Sequence, residues 1–315
     1  MKKIGFVFIF FSTIAFSQTY SLNKVTATHS NEIIFVKHTF YEIGFNTKYK
    51  LPAWTFYSLT KEHLAIANLE RKGSFAKDPL LNSSQAKSND YSASGFDKGH
   101  LVPCEDMSFS EQAMHETFYY SNCAPQTTEL NRGEWKMLEE LSRNWGKEYG
   151  EVIVISGPVF EKNMKAMGEE PEKNGSSKIP IPNLFYKIVV RHQDQTYKAI
   201  SFVLPNVILS LPKGPINGLQ NYICSVDSVE KLTGLDFFSE LPDNLEAQFE
   251  SSSNTKDWNF SHHVSSSVVE NQHKSENDSV KAKVVSVQCS AKTKKGKRCK
   301  NKTNSVNGLC GQHQK

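Results

Sequence analysis

Gly95-Phe96-Asp97-Lys98-Gly99-His100 is followed by Asn122-Cys123-Ala124-Pro125-Gln126 and then by Asn131-Arg132-Gly133-Glu134-Trp135. These three stretches place one histidine, one amide-rich helix start and an acidic helix within a short span. Gly99 permits close backbone approach beside His100. A lone histidine is usually packed or solvated, and His29, His38, His63, His115 and His192 read that way. His100 stands apart because its neighbours form a pattern. Residues 131–147 have helical spacing, with Met137, Leu138, Leu141 and Trp145 on one apolar stripe. Glu139 and Arg143 fall one turn apart on the adjacent flank and can pair. Asn131 opens this helix, where its side-chain oxygen can cap the backbone or bind a metal; on chemistry alone capping is preferred.

The residue types are ones that phosphoryl-transfer chemistry can use. Cutting a phosphodiester requires a base for water, a stabiliser for charge at phosphorus and a neutraliser for the leaving oxygen. A neutral imidazole serves the first, an arginine fork the second and a hard cation with few protein ligands the third.

The ordered set resembles the DNA/RNA non-specific endonucleases. Their Asp-Arg-Gly-His, Asn-x-x-Pro-Gln and Asn-x-Gly-x-Trp-x-x-Leu-Glu motifs match Asp97–His100, Asn122–Gln126 and Asn131–Glu139 in order. Similar stretches include Ile155–Phe160, Phe202–Asn206 and Ser225–Phe238, so the likeness covers roughly residues 30–250. It implies an α+β, ββα-metal nuclease fold with a central antiparallel sheet and flanking helices. It implies His100 as general base and Asn131 as direct ligand of one Mg²⁺ (or Mn²⁺), reversing the capping preference. Glu139 would orient metal-bound water, Arg143 and Arg71 would stabilise phosphate, and Asn122 would support the histidine. Arg71 lies in a segment ending Asp78-Pro79, like the family's arginine segment. The implied products carry 5′-phosphates, the implied partners are DNA and RNA without sequence preference, and a homodimer is left open. Lys98 departs from the family's arginine: it keeps the charge and loses the fork. If it grips substrate, rate or affinity falls; if it only balances Asp97, little changes; activity is expected to be retained. A nuclease fold that binds nucleic acid with weak catalysis is the alternative. A phosphodiesterase for small nucleotides is disfavoured by the basic tail.

Strands are expected at Glu32–Val36, Trp54–Leu59, Val152–Pro158 (closed by its Gly-Pro), Phe185–Val190 and Lys198–Leu204. Helices are expected from Ser108 through Tyr119 and from Val226 to Leu232, ending at Gly234.

Composition divides the chain. Residues 1–17 have a basic start, Lys2-Lys3, then an apolar run to Phe16, and read as a signal peptide. The run is shorter than the ~20 residues a membrane span needs. A secreted or periplasmic protein, free of the membrane after cleavage, is therefore expected. Residues 28–260 read as the nuclease domain and 261–287 as a polar linker. Residues 288–315 form a basic unit in which Cys289, Cys299, Cys310 and His313 suit a structural Zn²⁺; a disulfide plus a free thiol is the other reading. Ten of the 37 basic residues and none of the 33 acidic ones lie in 281–315, leaving residues 1–280 at net −6. An acidic body with a basic tail suits a polyanion partner. Cys104 and Cys123 flank the motif and could bridge; Cys224 has no evident partner.

Overall fold

The computed structural model describes residues 25–27, 30–167, 178–193, 196–207, 218–261, 287–288, 300 and 302–303. Seven strands make one antiparallel sheet. In chain order they are β1 (Ile33–Lys37), β2 (Tyr41–Asn46) and β3 (Leu51–Thr60), then β6 (Glu151–Val159), β7 (Leu184–Gln193), β8 (Thr196–Pro205) and β9 (Ile223–Cys224). Between β3 and β6 come a separate hairpin, β4 (Asp97–His100) with β5 (Cys123–Gln126), and two helices, α1 (Thr128–Arg132) and α2 (Glu134–Tyr149). The spatial order is β9-β8-β7-β6-β3-β2-β1.

Both faces of this sheet are covered, and β7 shows why its sequence is apolar throughout. Side chains alternate between faces along a strand. Phe185 and Val189 enter the core shared with α2 and the hairpin, whereas Tyr186, Ile188 and Val190 enter a second core. The second core lies under α3 (Val226–Thr233) and α4 (Asp243–Glu250), with Val226, Val229 and Phe249 as its helical members. A strand buried on both faces loses the polar alternation that marks a half-exposed one.

The five expected strands all form, the first shifted by one residue and the other four somewhat longer than expected. The Gly-Pro pair does not end β6. Tyr186 pairs with Gly157 and Phe185 with Pro158, and the strand continues to Val159. A Cβ at Gly157 would sit 2.2 Å from the Ala53 carbonyl oxygen, so the glycine serves close strand approach rather than a break. The helix expected from Ser108 starts later. The Ser108 hydroxyl donates to the Glu105 carbonyl, and Ser110 instead accepts from Ala113 N–H, capping Glu111–Glu116. α3 ends as expected at Gly234, whose φ of 70° is left-handed.

Cys104 and Cys123 are both free, as is Cys224. Cys104 packs in a small cluster with Met114 and Phe118, while Cys123 lies in the main core beside the Tyr91 hydroxyl at 3.6 Å. The bridge left open from sequence is therefore not made. Among the described residues no helix is long and apolar enough to cross a membrane. Residues 1–17, and Cys289, Cys299, Cys310 and His313, lie outside the described residues.

Candidate active site

β4 and β5 pair so that Asp97 faces Gln126 and His100 faces Cys123. A Cβ at Gly99 would lie 2.1 Å from Gln126 Oε1, so only glycine lets the Gln126 amide cross the strand there. Beyond His100, the chain is fixed by Asn122. Its Oδ1 accepts from Val102 N–H at 2.9 Å, and its Nδ2 donates to the carbonyls of Val102 and Thr117, each at 2.9 Å. Asn122 is fully buried with its hydrogen-bonding capacity spent on backbone, which fits the expected supporting role. The Trp135 indole N–H, from the first turn of α2, donates to the His100 carbonyl at 3.0 Å. The helix is thereby tied to the strand that carries the histidine.

The His100 ring is buried against Phe75, with centroids 4.8 Å apart, and Phe118, at 5.1 Å. Its Nε2 has no hydrogen-bond partner. Burial, and secondarily the Arg71 charge, lower its pKa to about 3. The imidazole is therefore neutral near pH 7, with a free nitrogen. Phe75 reaches it because the segment after Arg71 runs beside Phe118–Tyr120: Ala76 N–H donates to Phe118, and Tyr120 N–H to Ala76. Arg71 itself is exposed, its guanidinium 5.5 Å from the Phe118 ring centre.

Asn131 lies in α1, not at the start of the long helix. Gly133, with no side-chain cap, separates α1 from α2. The Asn131 Nδ2 donates to Asp97 Oδ2 at 3.0 Å. Capping is thus not what Asn131 does, and the Asp97 contact orients its amide so that Oδ1 is the group left for a ligand. Asp97 is also gripped by Arg132 through two bonds, at 3.0 and 3.2 Å. Lys98 consequently does not balance Asp97. Its ammonium sits 5.5–5.9 Å from the rings of Phe75, Tyr91 and Tyr120. These are cation–π contacts, which an ammonium can make without the guanidinium fork.

On α2, Met137, Leu138, Leu141 and Trp145 are all buried as expected. Arg143, however, forms ion pairs with Asp106, at 2.6 Å, and Glu105, at 3.0 Å, rather than with Glu139. Burial would lower the Arg143 pKa, but Asp106 and Glu139 hold it above the usual arginine value. Asp106 is almost fully buried and also accepts from the Tyr57 hydroxyl at 2.8 Å. This network is not legible in sequence, because Asp106 and Arg143 are 37 residues apart.

Lys187 is a second residue that sequence patterns do not single out. It is fully buried, 4.3 Å from the Trp135 ring centre, and its Nζ has no hydrogen-bond partner. It occupies the α2-facing side of β7 between Phe185 and Val189, where an apolar residue is expected. Burial lowers its pKa and Glu139 raises it; burial raises the Glu139 pKa and Lys187 lowers it. Each thus supports the charge of the other. A lysine inside a run of strand-forming residues is the only trace this pair leaves in the sequence.

The donor set fits a hard divalent cation: a half-buried amide oxygen at Asn131, a carboxylate at Glu139, and, among the described residues, no thiol nearby except buried, protonated cysteines. A short hairpin carrying the histidine, followed by a helix bearing the acid, over an antiparallel sheet, defines the ββα-metal class of nucleases. Residues 18–244 match the DNA/RNA non-specific endonuclease family, a family of metal-dependent nucleases, and the chain belongs to that family. It is 32% identical over 218 residues to "Mitochondrial nuclease" of Saccharomyces cerevisiae, covering 63% of either chain. It is 34% identical over 217 residues to "Nuclease C1" of Cunninghamella echinulata, covering 66% of this chain and 83% of that one. A chain in the crystal structure of the EndoG/EndoGI complex superposes with a TM-score of 0.57 at 29% identity, covering 67% of this chain and 88% of that one.

These relatives correct one expectation. The Saccharomyces protein is named mitochondrial, as are related nucleases of Schizosaccharomyces pombe, Danio rerio and Homo sapiens. They point to a mitochondrial rather than a secreted or periplasmic location. A leader rich in apolar residues and free of acids is not diagnostic of one compartment, since transit peptides are also acid-poor; charge and apolarity alone are an insufficient guide.

Proposed function

We propose that this protein is a sugar-non-specific endonuclease that hydrolyses DNA and RNA phosphodiesters with one Mg²⁺ and a histidine general base. The observation that carries this reading is the neutral, buried His100 with an unpartnered Nε2, on a hairpin whose Asp97 also orients Asn131. Asn131 Oδ1 would hold the cation, and Glu139 would accept hydrogen bonds from its waters. When bound, the cation supplies charge neutralisation at phosphate and at the leaving oxygen. The His100 imidazole would take the proton of the attacking water, and its apolar surround keeps the base unprotonated beforehand. Arg71 is the exposed cation beside the histidine and is suited to phosphate. Arg143, held by two carboxylates, is better suited to fixing the Asp106 loop against α2. In-line attack by water with departure of the 3′ oxygen leaves 5′-phosphate ends. The sequence carries no base-reading motif, so contacts would fall on phosphate and sugar.

The test is incubation of the protein with plasmid DNA and with RNA, with Mg²⁺ or EDTA, beside His100→Ala. Metal-dependent loss of both substrates, reduced by at least about 100-fold in the variant, is expected. Tight binding without cleavage by the unaltered protein would instead make it a nucleic-acid-holding relative of the nucleases.

A further inference from the structure

On the sheet face opposite the hairpin, α3 and α4 bring three carboxylates together. One oxygen each from Asp227, Glu230 and Glu250 lies within 4.8 Å of the others. Asp227 is exposed, Glu230 half-buried and Glu250 buried. Glu230 Oε1 accepts from Phe237 N–H at 2.7 Å. Glu250 differs: it is 6% exposed, and its buried Oε1 has no hydrogen-bond partner. A buried carboxylate oxygen without a donor is costly, and such a group calls for a compensating partner.

The electrostatic surroundings sharpen the problem. The charged groups acting on Glu250, namely Glu230, Glu246, Asp227 and Asp236, are all carboxylates.

We propose that Asp227, Glu230 and Glu250 form a Ca²⁺ site that pins α4 to α3, separate from the cation at Asn131. Three hard oxygen donors exclude a preference for soft metals. Ca²⁺ holds its oxygen ligands at about 2.4 Å, so oxygens within 4.8 Å of one another can share one such ion. Mg²⁺ is usually held by one or two carboxylates and keeps several waters, so a cluster of three carboxylates suits the larger ion. The exposed Asp227 side leaves room for the waters that complete a six- to eight-oxygen shell. The structural consequence is local. Phe249, next to Glu250, packs in the second core with Val226 and Val229 of α3, so the ion would lock the helix pair that closes this face of the sheet.

The experiment uses the full chain, stripped with EDTA, followed by thermal unfolding and calorimetric titration with CaCl₂. An Asn131→Ala background removes the proposed catalytic ligand. Ca²⁺ is expected to raise Tm by several degrees in both backgrounds, with one equivalent bound in Asn131→Ala, and to do so more strongly than Mg²⁺. The shift should disappear, or need at least about tenfold more Ca²⁺, in Asp227→Asn and in Glu250→Gln, with Mg²⁺-dependent cleavage unchanged. No Ca²⁺ shift, or an equal shift in both variants, overturns the proposal. Should Glu250→Gln fail to fold, Asp227→Asn decides, since its side chain is exposed. Loss of cleavage with retention of the Ca²⁺ shift would count against the nuclease reading alone.

Discussion

His100 illustrates how one side chain is made useful by what it is denied. Phe75 and Phe118 remove water from its ring, and nothing donates to its Nε2. A depressed histidine pKa means that the unfolded chain binds the proton more readily between about pH 3 and the ordinary value of 6.5. The native state should thus gain stability as pH rises through that window and lose it as pH falls. In His100→Asn this contribution is removed. Urea midpoints at pH 4.5 and 6.5 should differ more for the unaltered protein than for the variant; equal differences would refute the burial argument. Asn122 makes the complementary point. Its three bonds to Val102 and Thr117 hold the turn after the histidine. Asn122→Ala leaves buried backbone groups unpaired, at roughly 1–3 kcal/mol for each group left unsatisfied. Denaturant unfolding should show the loss as a drop in midpoint, with cleavage reduced even in the protein that remains folded.

At the level of elements, β7 and α2 cooperate through Lys187 and Glu139. The two are far apart in sequence, yet each titrates against the other. Lys187→Met keeps the volume and removes the buried ammonium. The Glu139 pKa should then rise further, so the acid limb of kcat should move to higher pH while Tm changes little. An unshifted pH profile would separate the two residues functionally. Arg143 carries a different load, bridging α2 to the loop that holds Asp106. Arg143→Met strands a buried carboxylate, and a loss of about 3–5 kcal/mol is expected by denaturant titration. What is legible in sequence follows from the range of each interaction. The apolar stripe of α2, the five long strands and the Gly234 stop are local patterns and can be read. The motif order locates His100, Asn122, Asn131 and Glu139 through family resemblance. Hidden from the sequence are contacts made across the fold: Arg132 on Asp97, Arg143 on Asp106, Lys98 among three rings, and Lys187 under α2. The Gly157-Pro158 pair misleads because a close strand crossing and a strand end use the same residues.

Across the whole molecule, charge is unevenly placed. Residues 1–280 carry 27 basic and 33 acidic residues, whereas 281–315 carry ten basic and no acidic ones. A polyanion approaching the body meets net repulsion outside the cation-bearing site, so the tail is the part of the chain best suited to raise its local concentration. This attraction would arise by release of counterions and must weaken with salt. Chemistry at His100 would not depend on it. Replacing Lys292, Lys294, Lys295 and Lys297 by Gln in the full chain should therefore weaken binding to a catalytically silenced His100→Ala protein at low salt. The slope of log affinity against log salt should become shallower by about 0.9 for each duplex phosphate that the tail no longer neutralises. In the active protein the same four changes should raise KM for long DNA and leave kcat unaltered, since the proposed bond-breaking groups lie on β4, α1 and α2. A short oligonucleotide, too small to span both regions, should be cut equally well by both forms. If kcat fell instead, or if short and long substrates suffered alike, the tail would have to act on the site itself rather than as an electrostatic tether.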